Sequence, residues 1–158
     1  MVTDVPRKER AYEKYAWMLL FVEGIFGLVF ALYFIFISRD PDPAVTMNKI
    51  GKTWDELIAS DPRVADYLSY LLRFVGLSLV GISIFGMSVS ATAYRRGEKW
   101  AWYALWYFPV FFAIITAINA ILGGGTIWPL FAFLLVVSLA GLLLPYRKFF
   151  PRRQVSTA

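Results

Sequence analysis

Four apolar runs, each close to twenty residues long and separated by polar segments, constrain this chain more than any other feature. They cover about residues 15–37, 68–93, 100–122 and 127–145. An α-helix needs about 20 apolar residues to cross a hydrocarbon layer of about 30 Å. Helices are the only option for such runs, because backbone groups in lipid must be satisfied within the segment. Composition agrees: 59% of the residues are hydrophobic, more than a soluble domain carries, so too little polar surface remains to cover a core in water. The first run is too long for the apolar part of a signal peptide and no small-residue cleavage site follows it, so it is expected to be retained as a span.

The connections suggest the arrangement. Ala93-Tyr-Arg-Arg-Gly-Glu-Lys-Trp100 and Gly123-Gly-Gly-Thr126 are short turns, and short turns make successive helices antiparallel neighbours. The expectation is an all-α, four-helix transmembrane bundle, up-down-up-down, forming one integral membrane domain over residues 1–158. Basic residues set its orientation. Arg7, Lys8, Arg10, Lys14, Arg95, Arg96, Lys99, Arg147, Lys148, Arg152 and Arg153 fall on one side. Arg39, Lys49, Lys52 and Arg63 fall on the other, among Asp40, Asp42, Asp55, Glu56, Asp61 and Asp66. Both termini are therefore expected in the cytoplasm, with the plasma membrane as the site and the 38–67 loop outside.

That loop carries local signals. Arg39-Asp-Pro-Asp-Pro43 stops the first helix. Thr53-Trp-Asp-Glu56 is a capping box, predicting a short amphipathic helix over Trp54–Ala59 with Trp54, Leu57 and Ile58 on its apolar edge. Asp61-Pro62 restarts a helix, with Asp61 as cap and Pro62 in the first turn.

The chain has no cysteine and no histidine. This excludes disulfides, thiol catalysis, Cys/His metal sites and a Ser-His-Asp triad, and no cofactor is expected. The net charge of +5 reports membrane topology here and not nucleic-acid binding.

The chemistry-bearing candidates lie inside the runs. Glu23 falls about 10 Å in from the first end of span one, and Arg73 about 8 Å in from the outer end of span two. Counting levels the same way puts Tyr103, Trp106, Tyr107, Ser83 and Ser138 beside Glu23, and Asn119 beside Arg73. Gly76, Ser83, Gly86 and Ser90 form a small-residue stripe that should face the bundle. Arg73, three residues before Gly76, is expected to share that face. An ionisable residue in a membrane span is a functional hypothesis by default. Glu23, Arg73, Tyr103, Trp106, Tyr107 and Asn119 are thus the expected ligand-binding set. The plainer alternative is that Glu23 is protonated or hydrogen-bonded and only locks helix packing. Trp100, Trp102 and Tyr103 suit an interfacial aromatic belt, Pro109 should kink span three, and the basic, aromatic tail 146–153 should lie on anionic headgroups.

Two stretches, Thr53-Trp-Asp-Glu-Leu57 with the Asp61-Pro62 restart and Tyr94-Arg-Arg-Gly-Glu-Lys-Trp-Ala-Trp-Tyr-Ala-Leu-Trp106, resemble small prokaryotic four-span membrane proteins similar in layout to DoxX-like proteins. The resemblance covers about residues 50–110 and implies a four-helix integral membrane protein without implying a reaction. The function expected from the residues is non-enzymatic: an accessory subunit, or a binder of a small or lipid-like ligand at a polar intramembrane site. The alternatives are a lipid-modifying enzyme with Glu23 as acid/base, helped by Tyr103 or Tyr107 with Arg73 holding an anionic group, and a proton-coupled channel component. The expected partners are the lipid bilayer and a homo-oligomer or larger membrane complex.

Overall fold

A computed structural model describes residues 10–121 and 125–151. The described residues are mostly helical, and no strand occurs among them. Helix α1 is Ala11–Phe36, α2 Pro43–Ile50, α3 Trp54–Ser60 and α4 Pro62–Val89, continued by a π-turn over Ser90–Tyr94. Then come α5 Lys99–Ala104, α6 Tyr107–Ile121, α7 Trp128–Leu143 and α8 Tyr146–Phe149. Four stretches are long and apolar enough to cross a membrane: Ala11–Phe36, Pro62–Tyr94, Lys99–Ile121 and Trp128–Phe149. Large apolar side chains stay on their outsides, with Val29 61%, Leu77 62%, Phe133 63% and Val136 63% exposed. Such surfaces are tolerable in lipid and would aggregate in water. The chain is a multi-pass membrane protein.

Local chemistry explains most helix ends. The Glu13 carboxylate accepts the Arg10 N–H at 2.9 Å and starts α1. Thr53 and Glu56 form the expected capping box, at 3.3 and 2.7 Å, and start α3. The Asp61 carboxylate accepts from Val64 N–H at 3.4 Å at the head of α4. Asp42-Pro43 does the same for α2, a helix not foreseen in the 38–67 loop although it carries the pattern recognised at Asp61-Pro62. Gly51 ends α2 with φ +73, a left-handed conformation that costs glycine little.

Span three breaks where proline requires it. Pro109 has no N–H for the Leu105 carbonyl, which instead accepts from Phe108 N–H at 3.1 Å; α5 and α6 meet across Leu105–Trp106. Span four breaks the same way at Pro145. The Gly141 carbonyl, left without its helical donor, accepts the Tyr94 hydroxyl at 2.6 Å. Next to it, the Trp102 indole donates to the Leu142 carbonyl at 3.0 Å. The π-turn widens the end of α4 and turns Tyr94 inward, where its ring lies 4.7 Å from that of Phe149.

This end holds the tightest part of the core: Tyr94, Trp102, Leu105, Leu142 and Phe149 are all buried. Two expectations need correction. Trp102 is a core residue, because its indole is needed inside to satisfy a freed carbonyl, and it does not belong to an interfacial belt. Phe149 packs on Tyr94 and does not lie on headgroups, because the Pro145 break folds α8 back onto the bundle.

α1 makes the most extensive contacts, against α4 on one side and α7 on the other, and α6 packs on α7. α4 and α6 share no contact of that extent. They touch at Gly86, where an added Cβ would lie 2.5 Å from the Phe108 ring. Gly76, Ser83, Gly86 and Ser90 are buried as expected, but the stripe serves two partners. Gly76 packs on α1 and Gly86 on α6, so α4 diverges from α6 beyond Gly86.

Candidate functional site

The divergence of α4 from α6 leaves a cavity of about 400 Å³ walled by α1, α4 and α6, within the range of small-molecule sites. Glu23 lies towards one end and Asp40 and Asp42 at the other. From Glu23 to Phe34, both in the lining, α1 rises about 16 Å. Between them the walls are almost wholly apolar. Phe26, Phe30 and Phe34 come from α1; Leu72, Val75, Leu79 and Ile82 from α4; Phe108, Phe111, Phe112 and Ile115 from α6. Phe131 of α7 also reaches in. The residues on α1 follow from periodicity: positions 23, 26, 27, 30 and 34 fall on one helical face.

Glu23 is 2% exposed, and neither carboxylate oxygen has a hydrogen-bond partner among the described residues. Burying a charged or polar group without a partner is costly. The expected neighbours do not relieve it. Ser138 donates back to the Leu134 carbonyl of its own helix at 2.8 Å. Tyr103 is 60% exposed, against Trp102 and Phe150. Trp106 packs on Trp102 at the core side of α6 and is not in the lining. Both were placed at the site by counting depth alone, which leaves the angle around the helix open; the break at Leu105–Trp106 changes that angle. Tyr107 does line the cavity, its ring stacked on Phe111 at 5.7 Å.

Arg73 requires the largest correction. It is exposed, it does not line the cavity, and it has no ion pair with Glu23. Its Nε donates to the Ser38 hydroxyl at 2.8 Å. Three residues before Gly76 is an offset of about 60° around a helix, enough to move a side chain from seam to flank. The long side chain then reaches the end of α1. There Ser38, at φ +55, closes the helix with its hydroxyl on the Phe34 and Ile35 carbonyls.

Asn119 lies at the far end of the cavity, its amide donating to Ile115 O at 2.8 Å. Beside it is the residue that inspection of the sequence missed. Asp42 is 2% exposed. Its carboxylate accepts from Thr126 N–H, from the Thr126 hydroxyl at 3.0 Å, from Ile127 N–H at 3.0 Å and from Ala44 N–H at 3.2 Å. One side chain thus caps α2 and holds the start of α7. Asp40 accepts from Asp42 N–H at 2.9 Å and from the Thr46 hydroxyl. Burial pushes the Asp42 carboxyl up; the Ile127 and Thr126 amides, the Thr126 hydroxyl and the Ala44 amide outweigh it and hold the group below its ordinary value. Both far-end acids are thus occupied with the chain's own donors, whereas Glu23 is not. Among the described residues no three acidic side chains converge as a metal site would need. The glycines of the 123–125 turn other than Gly125 lie outside the described residues.

No protein-family model, curated protein or solved structure matches this chain.

Proposed function

We propose that this membrane protein binds a small amphipathic or lipid-like ligand in the α1–α4–α6 cavity, by itself or as the ligand-holding subunit of a larger membrane complex. The observation that carries this reading is the Glu23 carboxylate: buried, without a hydrogen-bond partner among the described residues, and in the lining of an apolar cavity. A carboxylate kept only for packing would be hydrogen-bonded to the helices it joins. The apolar walls between α4 and α6 suit a ligand that arrives from the lipid. The reading as a lipid-modifying enzyme keeps Tyr107 in the lining with Glu23 but loses its anion holder, because Arg73 is held by Ser38 outside the cavity, and Tyr103 is exposed.

The test fills the cavity from its wall. Leu79→Trp places an indole where the ligand would lie. Protein purified in mild detergent and examined by native mass spectrometry should retain a bound lipid-like species in the wild type, and the variant should lose at least about four-fifths of it, the loss expected for an affinity change of ~1 kcal/mol or more. Equal recovery from both proteins would refute the reading.

The same proposal places the chain in the plasma membrane with both termini cytoplasmic and a DoxX-like layout. It rests on the one-sided distribution of Lys and Arg. Because the chain has no cysteine, single cysteines at Lys52 and Arg96 make a clean check. An impermeant maleimide added to intact cells should label the first and spare the second until the membrane is opened. Labelling of both from outside would overturn the four-span arrangement, and labelling at Arg96 alone would reverse its orientation.

A further inference from the structure

We infer that the ligand class of this cavity is a lipophilic organic cation: a quaternary or protonated amine, or an onium group, carrying apolar substituents. This rests on the binding reading above and gives it a chemical identity.

Three observations converge. The first is charge. The lining contains Glu23, Asp40 and Asp42 and no Lys or Arg. Asp42 is saturated by four donors, and Asp40 is engaged by the Asp42 amide and the Thr46 hydroxyl. Of these three acids, Glu23 is the one without a hydrogen-bond partner among the described residues. The lone basic side chain of the middle of α4, Arg73, is turned away and held by Ser38. No cationic side chain in the lining competes with an incoming positive charge for Glu23, and none is there to pair with an anion.

The second is the wall. Phe26 and Phe30 follow Glu23 on the same face of α1, their rings stacked with centroids 5.9 Å apart. Phe108 and Phe111 of α6 and Phe131 of α7 face the same space. The face of an aromatic ring carries negative potential and attracts a cation within about 6 Å. A neutral alkyl chain gains nothing from this choice of aromatic over aliphatic walls, whereas an onium group does. The third is medium. In a low-dielectric wall, a carboxylate with its counter-charge in contact interacts far more strongly than in water. An ordinary inorganic cation would have to shed its hydration with only two oxygens to replace it. A cation that brings its own apolar coat avoids that cost.

The probes are methyltriphenylphosphonium, a permanent cation, and triphenylphosphine oxide, its neutral counterpart of closely similar shape. Binding to the detergent-purified full chain is measured by equilibrium dialysis. The wild type should bind the cation at least about tenfold more tightly than the oxide, a difference of ~1.4 kcal/mol. Glu23→Gln should remove that preference by weakening binding of the cation. Equal affinity of the two probes for the wild type overturns the inference, as does a preference that survives Glu23→Gln. The wild-type comparison decides alone if the glutamine variant folds poorly. If neither probe binds while Leu79→Trp still loses its copurifying lipid, the cation assignment fails and the cavity remains a site for an apolar ligand. If neither binds and Leu79→Trp loses nothing, both readings fail.

Discussion

Replacing Gly76 with valine should separate α1 from α4 and destabilise the protein by about 3 kcal/mol or more, the upper range for overpacking a tight contact. For a chain of this size that corresponds to a thermal midpoint roughly 10 °C lower, readable by fluorescence-monitored unfolding in detergent. The reason lies in what the new side chain would meet. A Cβ at Gly76 would lie 2.8 Å from the Ala31 carbonyl oxygen, 2.9 Å from Ile35 Cγ1 and 3.0 Å from Phe34 Cβ. Backbone and Cβ atoms cannot rotate away, so the helices themselves must part. Gly81 provides the control on the same helix. An added Cβ there meets nothing within 4 Å, and Gly81→Ala should be neutral or slightly stabilising through helix propensity, by up to about 1 kcal/mol. If the two variants unfold at the same temperature, the close approach of α1 and α4 at Gly76 is not what holds this pair together.

Asp42→Ala should cost about 3 kcal/mol and loosen the far end of the cavity. Its carboxylate satisfies the Ala44, Thr126 and Ile127 amides and the Thr126 hydroxyl. Hydrogen bonds to a charged group contribute about 1.5–3 kcal/mol each on a mutational scale, and the contributions overlap when they share one acceptor. Removing the side chain frees both the start of α2 and the start of α7, so limited proteolysis between 38 and 53 should accelerate along with unfolding. Asp42→Asn keeps one acceptor oxygen and should recover part of the loss. The pH dependence has a definite sign. A carboxyl held below its ordinary value in the folded chain stabilises that chain in full above the ordinary value of 3.8, and the contribution is lost as pH falls through the lower folded value. The wild type should therefore become easier to unfold below about pH 4, and Asp42→Ala should lack that part of the acid sensitivity. An alanine variant that unfolds like the wild type at neutral pH would show that the Asp42 bridge contributes little.

The parts of this molecule that could be read from the chain are those governed by neighbours within a turn or two. The spans follow from run length. The break in span three follows from Pro109, the start of α3 from Thr53 and Glu56, and the start of α4 from Asp61-Pro62. Even the small-residue stripe at 76, 83, 86 and 90 needed only helical periodicity. The apolar run of span two begins only at about residue 68, and α4 begins earlier, at Pro62, where the Asp61-Pro62 pattern puts its start; the Asp61 cap lets the helix run without interruption from the loop into the apolar segment. α2 carries the same sequence signal at Asp42-Pro43, an acidic cap followed by proline in the first turn, that starts α4 at Asp61-Pro62.

The candidate site was legible in a single residue, Glu23, because a carboxylate in an apolar run is conspicuous wherever its helix turns. Its surroundings were not. Counting depth put Arg73, Tyr103 and Trp106 within reach of it, but depth is one coordinate of three. Rotation of α4 took Arg73 to Ser38, and the break before Pro109 took Tyr103 and Trp106 to other faces.

From its sequence alone this chain had to be a set of four lipid-crossing helices, since run length and backbone hydrogen bonding leave apolar segments no other form. Only the tertiary structure decided that α4 leans on α1 at Gly76 and on α6 at Gly86. Two close approaches at different points on one helix splay its neighbours, and the gap so made becomes the cavity whose lining includes Glu23. That outcome depends on side chains far apart in the chain fitting at particular angles, a property no local pattern records.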